Sequence, residues 1–577
     1  MWNPIATAAR IARKIPAVVG DGRGGTLLLA LVFCAGVNVF AADRPSETRP
    51  PLPDFAPADP ATPGALPPLP IPEAPGTSAL TGERRVLVRR YEVVGATVLK
   101  PAEVAALTAP YENREISWGD LEALRDKITQ AYVQRGYVSS GAVIPDQTIA
   151  DETVRLQVME GTLSDIEVKT DGRYRPSVLR ARLEQAAQGP VNVDRLENGL
   201  QSLQRDPNLR SVNAMLKPSD ERGRALLTVD VRERRPWELA LDLDNHAVPA
   251  VGSERARLSG RAVNLAGMGD ALWGLVGVSE GLREGELNYA LPLGSGRTSI
   301  TASGRASRGD IVDPPFDELD VHSTSSTYGL TVTRALVSDV HRGLDLSLTG
   351  EVRRSESFLL GSGFSFIEGP EEGVSKITAL RAAQQWSLRG SRQVFVARTT
   401  FSFGVDALDA THHDDRTVPD GQFVAFLLQT QWARRFPWRD TLLIARLDGH
   451  VANDPLLGLE QFAIGGHGSV RGYPENTLVR DQGAIASVEA RFPLFRRGTR
   501  TVLEGGPFVD GGWGSNRDRD EVGPSSITGV GLTARVFLGP AVRLEVAWAE
   551  ALDDVPLPVD PNLQERGVYF NLTVRTP

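Results

Sequence analysis

Cysteine is almost absent from this sequence. Among 577 residues there is one, Cys34, and it lies within an apolar run near the N terminus. If that run is removed during maturation, the remaining chain has no disulfide and must be stable through packing and hydrogen bonding alone. The preceding residue, Phe33, is too large for a lipoprotein cleavage site, so lipidation of Cys34 is not predicted.

An excess of positive charge and a long apolar segment are missing as well. Lys and Arg number 63 against 72 Asp and Glu, and the resulting net charge of −9 argues against a nucleic-acid partner. Beyond the N-terminal run, no stretch approaches the roughly 18 apolar residues of a membrane-spanning helix. The 57 glycines, together with only 4 methionines, are typical of a large β-structure.

Residues 1–41 have the features of a secretory signal peptide. Four basic residues precede an apolar run over 26–40, and Val39-Phe40-Ala41 supplies an A-x-A-like cleavage site. A short membrane anchor is the alternative interpretation. The basic residues are Arg10, Arg13, Lys14 and Arg23. We expect a mature chain that begins at Ala42 and leaves the cytoplasm.

Residues 42–84 are rich in proline, with twelve prolines between Asp43 and Arg84. Proline cannot continue a helix and favours extended backbone at the preceding residue, so this segment is predicted to be an extended, mobile linker. A proline-rich ligand for a recognition domain is the other interpretation of the same composition.

Two similar units follow, over residues 85–161 and 162–234, and each is predicted to have the order β-α-α-β-β. In the first unit a strand begins at Val86, and the stronger helix begins at Ser117, where Asp120 completes a capping-box-like pattern. Neither unit contains a catalytic constellation. A small sheet with an open edge can bind an extended peptide as an additional strand, so the pair is interpreted as tandem peptide-binding modules.

Residues 235–577 alternate between apolar and polar positions, beginning with Trp237–Asp244. This period of two fits a sheet with lipid outside and water inside, and the connections alternate between short and long, as in transmembrane barrels. A soluble β-sandwich also alternates, but roughly 21 residues per strand and connection is generous for one. We therefore predict a 16-stranded antiparallel transmembrane β-barrel after the α+β modules. The predicted strands begin near Trp237, Arg255, Ala271, Glu284, Thr298, Thr327, Gly343, Lys376, Gln393, Gln422, Asp440, Gly483, Arg500, Ser526, Ala541 and Gly567.

A glycine-rich stretch, Gly465–Pro474, separates the eleventh and twelfth predicted strands, within a loop over 454–482 that we expect to fold inward. Glycine at this density permits positive φ and close backbone approach. Arg471 then needs a partner. Asp510 lies at an inward position of the thirteenth strand, with Phe508 and Gly512 on the same face. We predict a lumenal ion pair between Arg471 and Asp510, and a surface turn with a solvated arginine is the simpler alternative.

Enzymatic motifs are weak in this chain. The stretch Gly468-Ser469-Val470-Arg471-Gly472 does not match the G-x-S-x-G nucleophile elbow. His412-His413-Asp414-Asp415 has residue types that bind metals, but it falls in a predicted long loop, where polar runs are common. The sequence predicts no enzyme, no cofactor and no metal site.

Several motifs resemble one family. The segment from Gly136-Tyr137 to Pro145-Asp146-Gln147, with Glu160-Gly161 closing the unit, resembles the first POTRA domain of two-partner secretion transporters. Val470-Arg471-Gly472-Tyr473 resembles the loop motif of the wider superfamily of polypeptide-transporting β-barrels. Asn264–Asp270 and Tyr289–Gly294 are similar to early barrel turns of the same transporters.

The resemblance implies an exporter in the outer membrane of a Gram-negative bacterium, with two POTRA domains in the periplasm. Its implied partners are a secreted haemolysin- or adhesin-type protein with an N-terminal secretion domain, outer-membrane lipid, and the barrel-assembly machinery during biogenesis. An outer-membrane assembly insertase and a passive solute porin are the alternatives. Two features depart from the family. Twelve prolines leave no good site for an N-terminal plug helix, and the chain ends Thr576-Pro577, with Phe570 the nearest aromatic residue.

Overall fold

Residues 85–234 form two small α+β units, and residues 237–575 contain a sheet that closes on itself. The computed structural model describes residues 49, 52 and 85–577, except for 150, 205, 207, 220, 222, 314, 315, 340, 499, 520, 522, 556–560 and 577. No helix in this described part of the chain is long and apolar enough to cross a membrane.

The first unit packs two helices against a three-stranded sheet. The stronger helix begins where the capping pattern predicted it: the Ser117 hydroxyl accepts the Asp120 N–H at 3.2 Å, and the Asp120 carboxylate accepts the Ser117 N–H at 2.8 Å. The elements are β1 (Val86–Val88), β2 (Arg90–Val94), α1 (Pro101–Thr108), β3 (Arg114–Ile116), α2 (Trp118–Val133), β4 (Gly141–Val143) and β5 (Thr153–Met159). The predicted apolar stripe of α2 is buried in the core: Leu121, Leu124, Ile128 and Tyr132.

The first predicted strand of this unit is two strands in the structure. Its first half, β1, pairs with β3, while β2 pairs in parallel with β5. The chain divides at Arg89, whose N–H donates to the carbonyl of Glu152 at 2.8 Å instead of continuing the β1–β3 ladder. Sequence alternation carries no information about which partner a strand half takes, so the second small sheet was not predicted.

The second unit repeats the architecture and is hydrogen-bonded to the first. Its elements are β6 (Thr162–Thr170), α3 (Pro176–Glu184), α4 (Val193–Gln204), β7 (Leu209–Pro218) and β8 (Arg224–Glu233). The sheet has the order β6-β8-β7. Between the units, the Val193 N–H donates to the carbonyl of Gly136 at 2.9 Å, and the Asn192 side-chain amide donates to the carbonyl of Arg135 at 2.8 Å.

The large sheet is a closed antiparallel barrel of sixteen strands, as predicted. Its strands are β9 (Trp237–Asp244), β10 (Arg255–Val263), β11 (Ala271–Val278), β12 (Leu282–Leu293), β13 (Thr298–Asp310), β14 (His322–Ser338), β15 (Arg342–Leu359), β17 (Val374–Arg389), β18 (Gln393–Gly404), β19 (Val424–Phe436), β20 (Thr441–Ala452), β23 (Gln482–Arg497), β24 (Arg500–Ser515), β25 (Ser526–Leu538), β26 (Val542–Ala551) and β27 (Val568–Arg575). The barrel closes where β27 pairs with β9, and a short extension, β16 (Ser362–Gly363), pairs with the end of β15. Short 3-10 helices lie at Ala109–Tyr111, Pro249–Val251, Asp317–Leu319 and Trp438–Asp440.

The strand starts lie within two residues of the prediction except at β14. This strand begins at His322, five residues before the predicted Thr327. Residues 322–326 are all polar, so they show no apolar–polar alternation, yet they pair with β13 through the Asp310–His322 register. These residues are in a strand because they pair with β13, and such pairing cannot be seen in the local sequence.

Alternation sorts the side chains of the barrel as a membrane requires. On β9 the apolar set Trp237, Leu239, Leu241 and Leu243 is exposed on the outer face. Asp244 at the end of the strand is buried and pairs with Arg255 at 3.1 Å and Arg257 at 2.9 Å. An apolar outer band around a polar interior is the arrangement of outer-membrane barrels.

The second α+β unit is attached to the barrel at the turn between β10 and β11. The Arg175 N–H donates to the carbonyl of Gly267 at 2.9 Å, and the Asn264 amide donates to the Glu233 carboxylate at 2.9 Å. A Cβ on Gly267, whose φ is +73°, would lie 2.7 Å from the carbonyl oxygen of Arg173. Glycine is therefore needed for this turn to reach the α+β unit.

Glu160, which closes the first unit, provides a test of how that unit is held together. Its carboxylate accepts hydrogen bonds from the Val98 N–H at 2.9 Å, the Tyr132 hydroxyl at 2.6 Å, and the Thr97 N–H and hydroxyl. Burial pushes the pKa of the Glu160 carboxyl upward, but these hydrogen bonds outweigh burial and the pKa lies below its usual value.

We expect Glu160→Gln to destabilise the first unit by about 1 kcal/mol at neutral pH, because a partly exposed charged acceptor is lost. A lowered folded-state pKa contributes stability that is present above the unfolded value, about 4.3, and is lost as pH falls through the folded value. Hydrogen exchange of residues 85–161 in the full chain should therefore separate wild type from variant at pH 7 and progressively less below about pH 4. Glu92→Gln, at an exposed pair with Arg155, is the matched control and should change little. An equal difference at all pH values would contradict this role of the Glu160 charge.

Candidate functional site

The segment between β20 and β23 lies inside the barrel and packs against the inner wall. It contains a short hairpin of β21 (Phe462–Ile464) and β22 (Leu478–Arg480), and most of its residues are buried. Gly465 begins the turn of the hairpin with φ +115°, where a Cβ would lie 2.6 Å from the carbonyl oxygen of Pro474. The glycine-rich sequence thus lets the backbone of the loop approach itself at a distance that no other residue permits.

Arg471 at the loop tip contacts Asp510 on β24 through both side chain and backbone. The guanidinium donates from Nε to Asp510 Oδ2 at 2.7 Å and from Nη2 to Oδ1 at 3.0 Å, and the Arg471 N–H donates to Oδ2 at 3.2 Å. Arg471 is 6% exposed and Asp510 is 1% exposed. Two parallel charge-assisted bonds fix both the position and the plane of the guanidinium. The structure thus brings together the two residues that were predicted to pair.

A second carboxylate at the tip, Glu489 on β23, was not found from the sequence. It accepts the Arg471 Nη1–H at 3.0 Å, and on the wall it also pairs with Arg491 at 2.5 Å and Arg535 at 3.3 Å. Glu489 lies opposite Phe508 in the register of β23 with β24. The available signal was a charged residue at an inward position of β23, two residues after Ser487. Ser487 pairs with Asp510, but this pairing is known only from the register of β23 with β24.

The wall under the loop tip combines one aromatic ring with glycines. The Arg471 guanidinium carbon lies 3.4 Å from the centroid of the Phe508 ring, a cation–π contact. A Cβ on Gly512 would lie 2.3 Å from Ile464 Cγ2, and a Cβ on Gly529 would lie 1.9 Å from the carbonyl oxygen of Arg471. Gly512 was among the predicted inward partners, whereas Gly529 on β25 was not. The loop fits here only because these positions have no side chain: Gly512 leaves room for the Ile464 side chain, and Gly529 leaves room for the Arg471 backbone.

The other residues of the tip motif are held by β25, β27 and a neighbouring loop. Val470 and Tyr473 are buried, and the Tyr473 hydroxyl donates to the carbonyl of Thr528 at 2.9 Å. The Tyr569 hydroxyl accepts the Gly472 N–H at 2.9 Å and donates to the carbonyl of Tyr473 at 2.6 Å. A phenol at an inward position of the last strand was the only sequence signal for Tyr569. All four motif residues therefore contact the barrel wall or the core of the loop.

The predicted motif of the first α+β unit lies apart from this site and organises local structure. Gly136, with φ +83°, follows α2, and the N–H of Tyr137 closes the helix end on the carbonyl of Tyr132 at 3.0 Å. The Gln147 amide donates to the carbonyl of Arg155 at 2.7 Å and accepts the Arg155 N–H at 2.8 Å, beyond the β4–β5 pairing. Pro145 precedes this contact, and its carbonyl accepts a longer bond from Gln147 at 3.4 Å.

One residue of the predicted linker, Arg49, lies inside the barrel. Its guanidinium donates to the carbonyl of Gly468 at 3.0 Å, lies 3.5 Å from the Asp448 carboxylate and faces the Phe462 ring at 5.8 Å. The interpretation of this segment as a mobile linker did not predict a contact with the lumenal loop. The remaining predicted linker residues, other than Leu52, lie outside the described part of the chain, as does the predicted signal peptide.

The polar run His412-His413-Asp414-Asp415 belongs to the long loop between β18 and β19. His412 Nδ1 lies 2.8 Å from the Gln422 amide nitrogen, and His413 Nε2 lies 2.6 Å from the carbonyl oxygen of Gly369. Among the described residues, no group of three or more His, Cys, Asp and Glu side chains could hold a metal ion.

Two family models and several known proteins match most of this chain. The family described as "Haemolysin secretion/activation protein ShlB/FhaC/HecB" matches residues 223–536, and "POTRA domain, ShlB-type" matches residues 86–161. The outer membrane transporter CdiB of Escherichia coli O6:K15:H31 (strain 536 / UPEC) is 25% identical over 471 residues, 79% of this chain and 77% of the relative. The hemolysin transporter protein ShlB of Serratia marcescens is 25% identical over 405 residues, 67% of this chain and 69% of the relative.

A solved structure shares the fold. CdiB from Escherichia coli superposes with a TM-score of 0.65 at 21% identity, covering 88% of this chain and 94% of that structure. The family match spans more than half of the 577 residues. The chain is therefore a member of the haemolysin secretion/activation protein family ShlB/FhaC/HecB, whose barrel resides in the outer membrane and whose POTRA domains lie in the periplasm.

Proposed function

We propose that this chain captures an extended partner protein in the periplasm through its two α+β units and secretes it through the barrel, with the Arg471 tip as the contact that positions the lumenal loop. The chain is a two-partner secretion transporter of the outer membrane and works with a secreted partner protein. The observation that carries the proposal is the buried pairing of Arg471 with Asp510 and Glu489 inside the barrel. A loop held by ion pairs can move between bound and released positions while the strand pairing of the barrel wall stays intact.

The electrostatics of the tip explain why one arginine has so large a role. Removing one partner of a buried ion pair costs about 3–5 kcal/mol, because the remaining charge stays buried without compensation. If the arginine were lost, Asp510 would keep the Ser487 hydroxyl, which donates at 2.7 Å, as its one side-chain hydrogen bond among the described residues. Lysine could replace the charge but could not supply two parallel bonds in one plane.

Edges of the two small sheets supply the capture surface in this proposal. In the described structure β2 and β4 are the outer strands of one sheet, and β6 and β7 are the outer strands of the other. β7 offers ten residues, and Met215 on it is half exposed. An incoming strand gains backbone hydrogen bonds whatever its sequence, so such an edge suits an extended N-terminal secretion domain of a haemolysin or adhesin.

Other partners follow from the outer surface and from biogenesis. The exposed apolar side chains of β9 and the other strands suit outer-membrane lipid, and insertion of the barrel would use the barrel-assembly machinery. We assign no catalytic role to the chain. An assembly insertase shares a barrel with periplasmic modules. A passive porin has no use for two periplasmic modules, the second of which is hydrogen-bonded to the barrel through Glu233 and Asn264.

Arg471→Ala is expected to lower secretion of the partner protein at least tenfold, because the loop loses the guanidinium bonds to Asp510 and Glu489 while the wall keeps its strand pairing. Secreted partner is measured in the culture medium, and barrel formation is measured by heat-modifiable mobility of the purified chain. Arg416→Ala, in an exposed loop, is the matched control and should secrete as wild type does. Wild-type secretion from a correctly folded Arg471→Ala barrel would remove the tip from the mechanism.

Deletion of residues 85–161 is expected to weaken periplasmic capture of the secretion domain strongly while the barrel still folds. The second unit keeps its bonds to the barrel through Arg175 and Glu233, so the deletion removes one capture module without detaching the other. Binding of a purified secretion domain to the detergent-solubilised chain is measured by pull-down, with Arg416→Ala as the control for handling. Full affinity in the deleted chain would show that this unit does not bind the partner.

A further inference from the structure

The lumenal loop has a second ionic contact, far from its tip. Glu460, near the start of the loop, is 2% exposed and faces two arginines of the barrel wall. Arg381 on β17 donates from Nη2 to Glu460 Oε1 at 2.6 Å and from Nη1 to Oε2 at 3.1 Å. Arg353 on β15 donates from Nη1 to the carbonyl of Leu459 at 2.8 Å and lies 3.4 Å from Glu460 Oε1.

Charge balance at this contact depends on the loop. Two guanidinium groups, Arg353 and Arg381, face two carboxylates, of which Glu351 belongs to the wall and Glu460 to the loop. Glu351 accepts from Arg353 at 2.5 Å and from Arg381 at 3.1 Å. Without Glu460, two buried cations would share one carboxylate, which is strongly unfavourable in a confined interior. The wall is thus built with a positive charge that the loop neutralises.

Apolar packing beside Glu460 fixes the same end of the loop. Leu456 and Leu457 are fully buried, and they join a cluster that includes Ile377 of β17 and Phe423. We call residues 456–460 the stem. The stem is therefore attached to the wall both by aliphatic packing and by a bidentate ion pair.

The stem and the tip are attached to separate parts of the barrel. Four strands, β18, β19, β20 and β23, lie between β17, which holds the stem, and β24, which holds the tip through Asp510. Five interstrand steps of about 4.8 Å separate the two attachment strands along the wall. The loop therefore crosses the lumen instead of lying along a single strand.

We propose that Glu460, with Arg353 and Arg381, is a second tether that positions the lumenal loop for transport. The inference rests on the proposed role of the tip and extends it. Two attachments on one loop act as a bivalent ligand, in which each attachment raises the effective concentration of the other. When the tip is released from Asp510, the stem stays on β15 and β17, so the loop moves aside and returns instead of leaving the lumen. Glu460 is a positioning residue in this scheme, since it acts through the loop.

A double-mutant comparison of ion conductance tests this bivalence. The purified full-length chain is inserted into planar lipid bilayers, and the fraction of time spent in the large-conductance state is measured for wild type, Glu460→Gln, Arg471→Ala and the double variant. Either single variant keeps one tether, so each should raise the open fraction by no more than about threefold. The double variant should exceed the product of the two single effects at least tenfold. Glu286→Gln, at a lumenal pair with Arg305 on neighbouring strands, is the matched control and should match wild type.

A conservative variant distinguishes a specific ionic tether from general damage to the barrel. Glu460→Asp keeps a carboxylate beside Arg353 and Arg381, so in the Arg471→Ala background its open fraction should stay near that of Arg471→Ala alone. Multiplicative effects in the double variant, or a Glu460→Asp open fraction equal to that of Glu460→Gln in this background, would overturn the tether. If Glu460→Gln fails to give a heat-modifiable barrel, Arg381→Gln, which removes the bidentate partner of Glu460, carries the test. Failure of the tip proposal appears separately, as normal secretion from Arg471→Ala.

Discussion

The buried ion pair between Arg471 and Asp510 is the interaction on which the arrangement of the lumen depends. Arg471 is only 6% exposed, so the charge of its guanidinium must be balanced by carboxylates. The guanidinium is paired with Asp510 on β24 and Glu489 on β23. Its position in turn dictates what surrounds it: a Phe508 ring under the guanidinium, and a glycine at 529 where any side chain would meet the Arg471 carbonyl. The position of one loop residue, through both its charge and its backbone, thus constrains residue types on three neighbouring strands.

The barrel can hold such a loop because strand alternation separates lipid from ions. Apolar side chains such as Leu241 occupy the outer face of β9, so charged residues are confined to the inner face, where the walls and the loop neutralise one another. Wall carboxylates accept hydrogen bonds from the tip cation, whereas wall cations donate hydrogen bonds to the stem carboxylate Glu460. The two ends of the loop therefore carry opposite charges matched to opposite charges on the wall. Exchanging the ends would place like charges together, which fixes the orientation of the loop across the lumen.

Much of this architecture could be predicted from the sequence, because a period of two and the turn residues repeat along the barrel. Strand starts such as Arg255 and Gln393 were found to the residue. The division of the first strand at Arg89 was missed, since alternation does not reveal which neighbour a strand half pairs with. The partners Glu489, Glu460 and Arg381 were missed for a related reason. An inward charge is visible in the sequence, but its partner comes from a distant strand that only the closed barrel brings near.

The central claim is that Arg471 and Asp510 act as one unit in transport, and a double-mutant cycle of secretion tests it most directly. Secreted partner protein would be measured for Arg471→Ala, Asp510→Ala and the combined variant, each with a correctly folded barrel. If the pair acts as a unit, the combined variant secretes about as much as the weaker single variant, because the second substitution removes an interaction that is already lost. If the two losses multiply, the residues act independently, and the ion pair is not what positions the lumenal loop for transport.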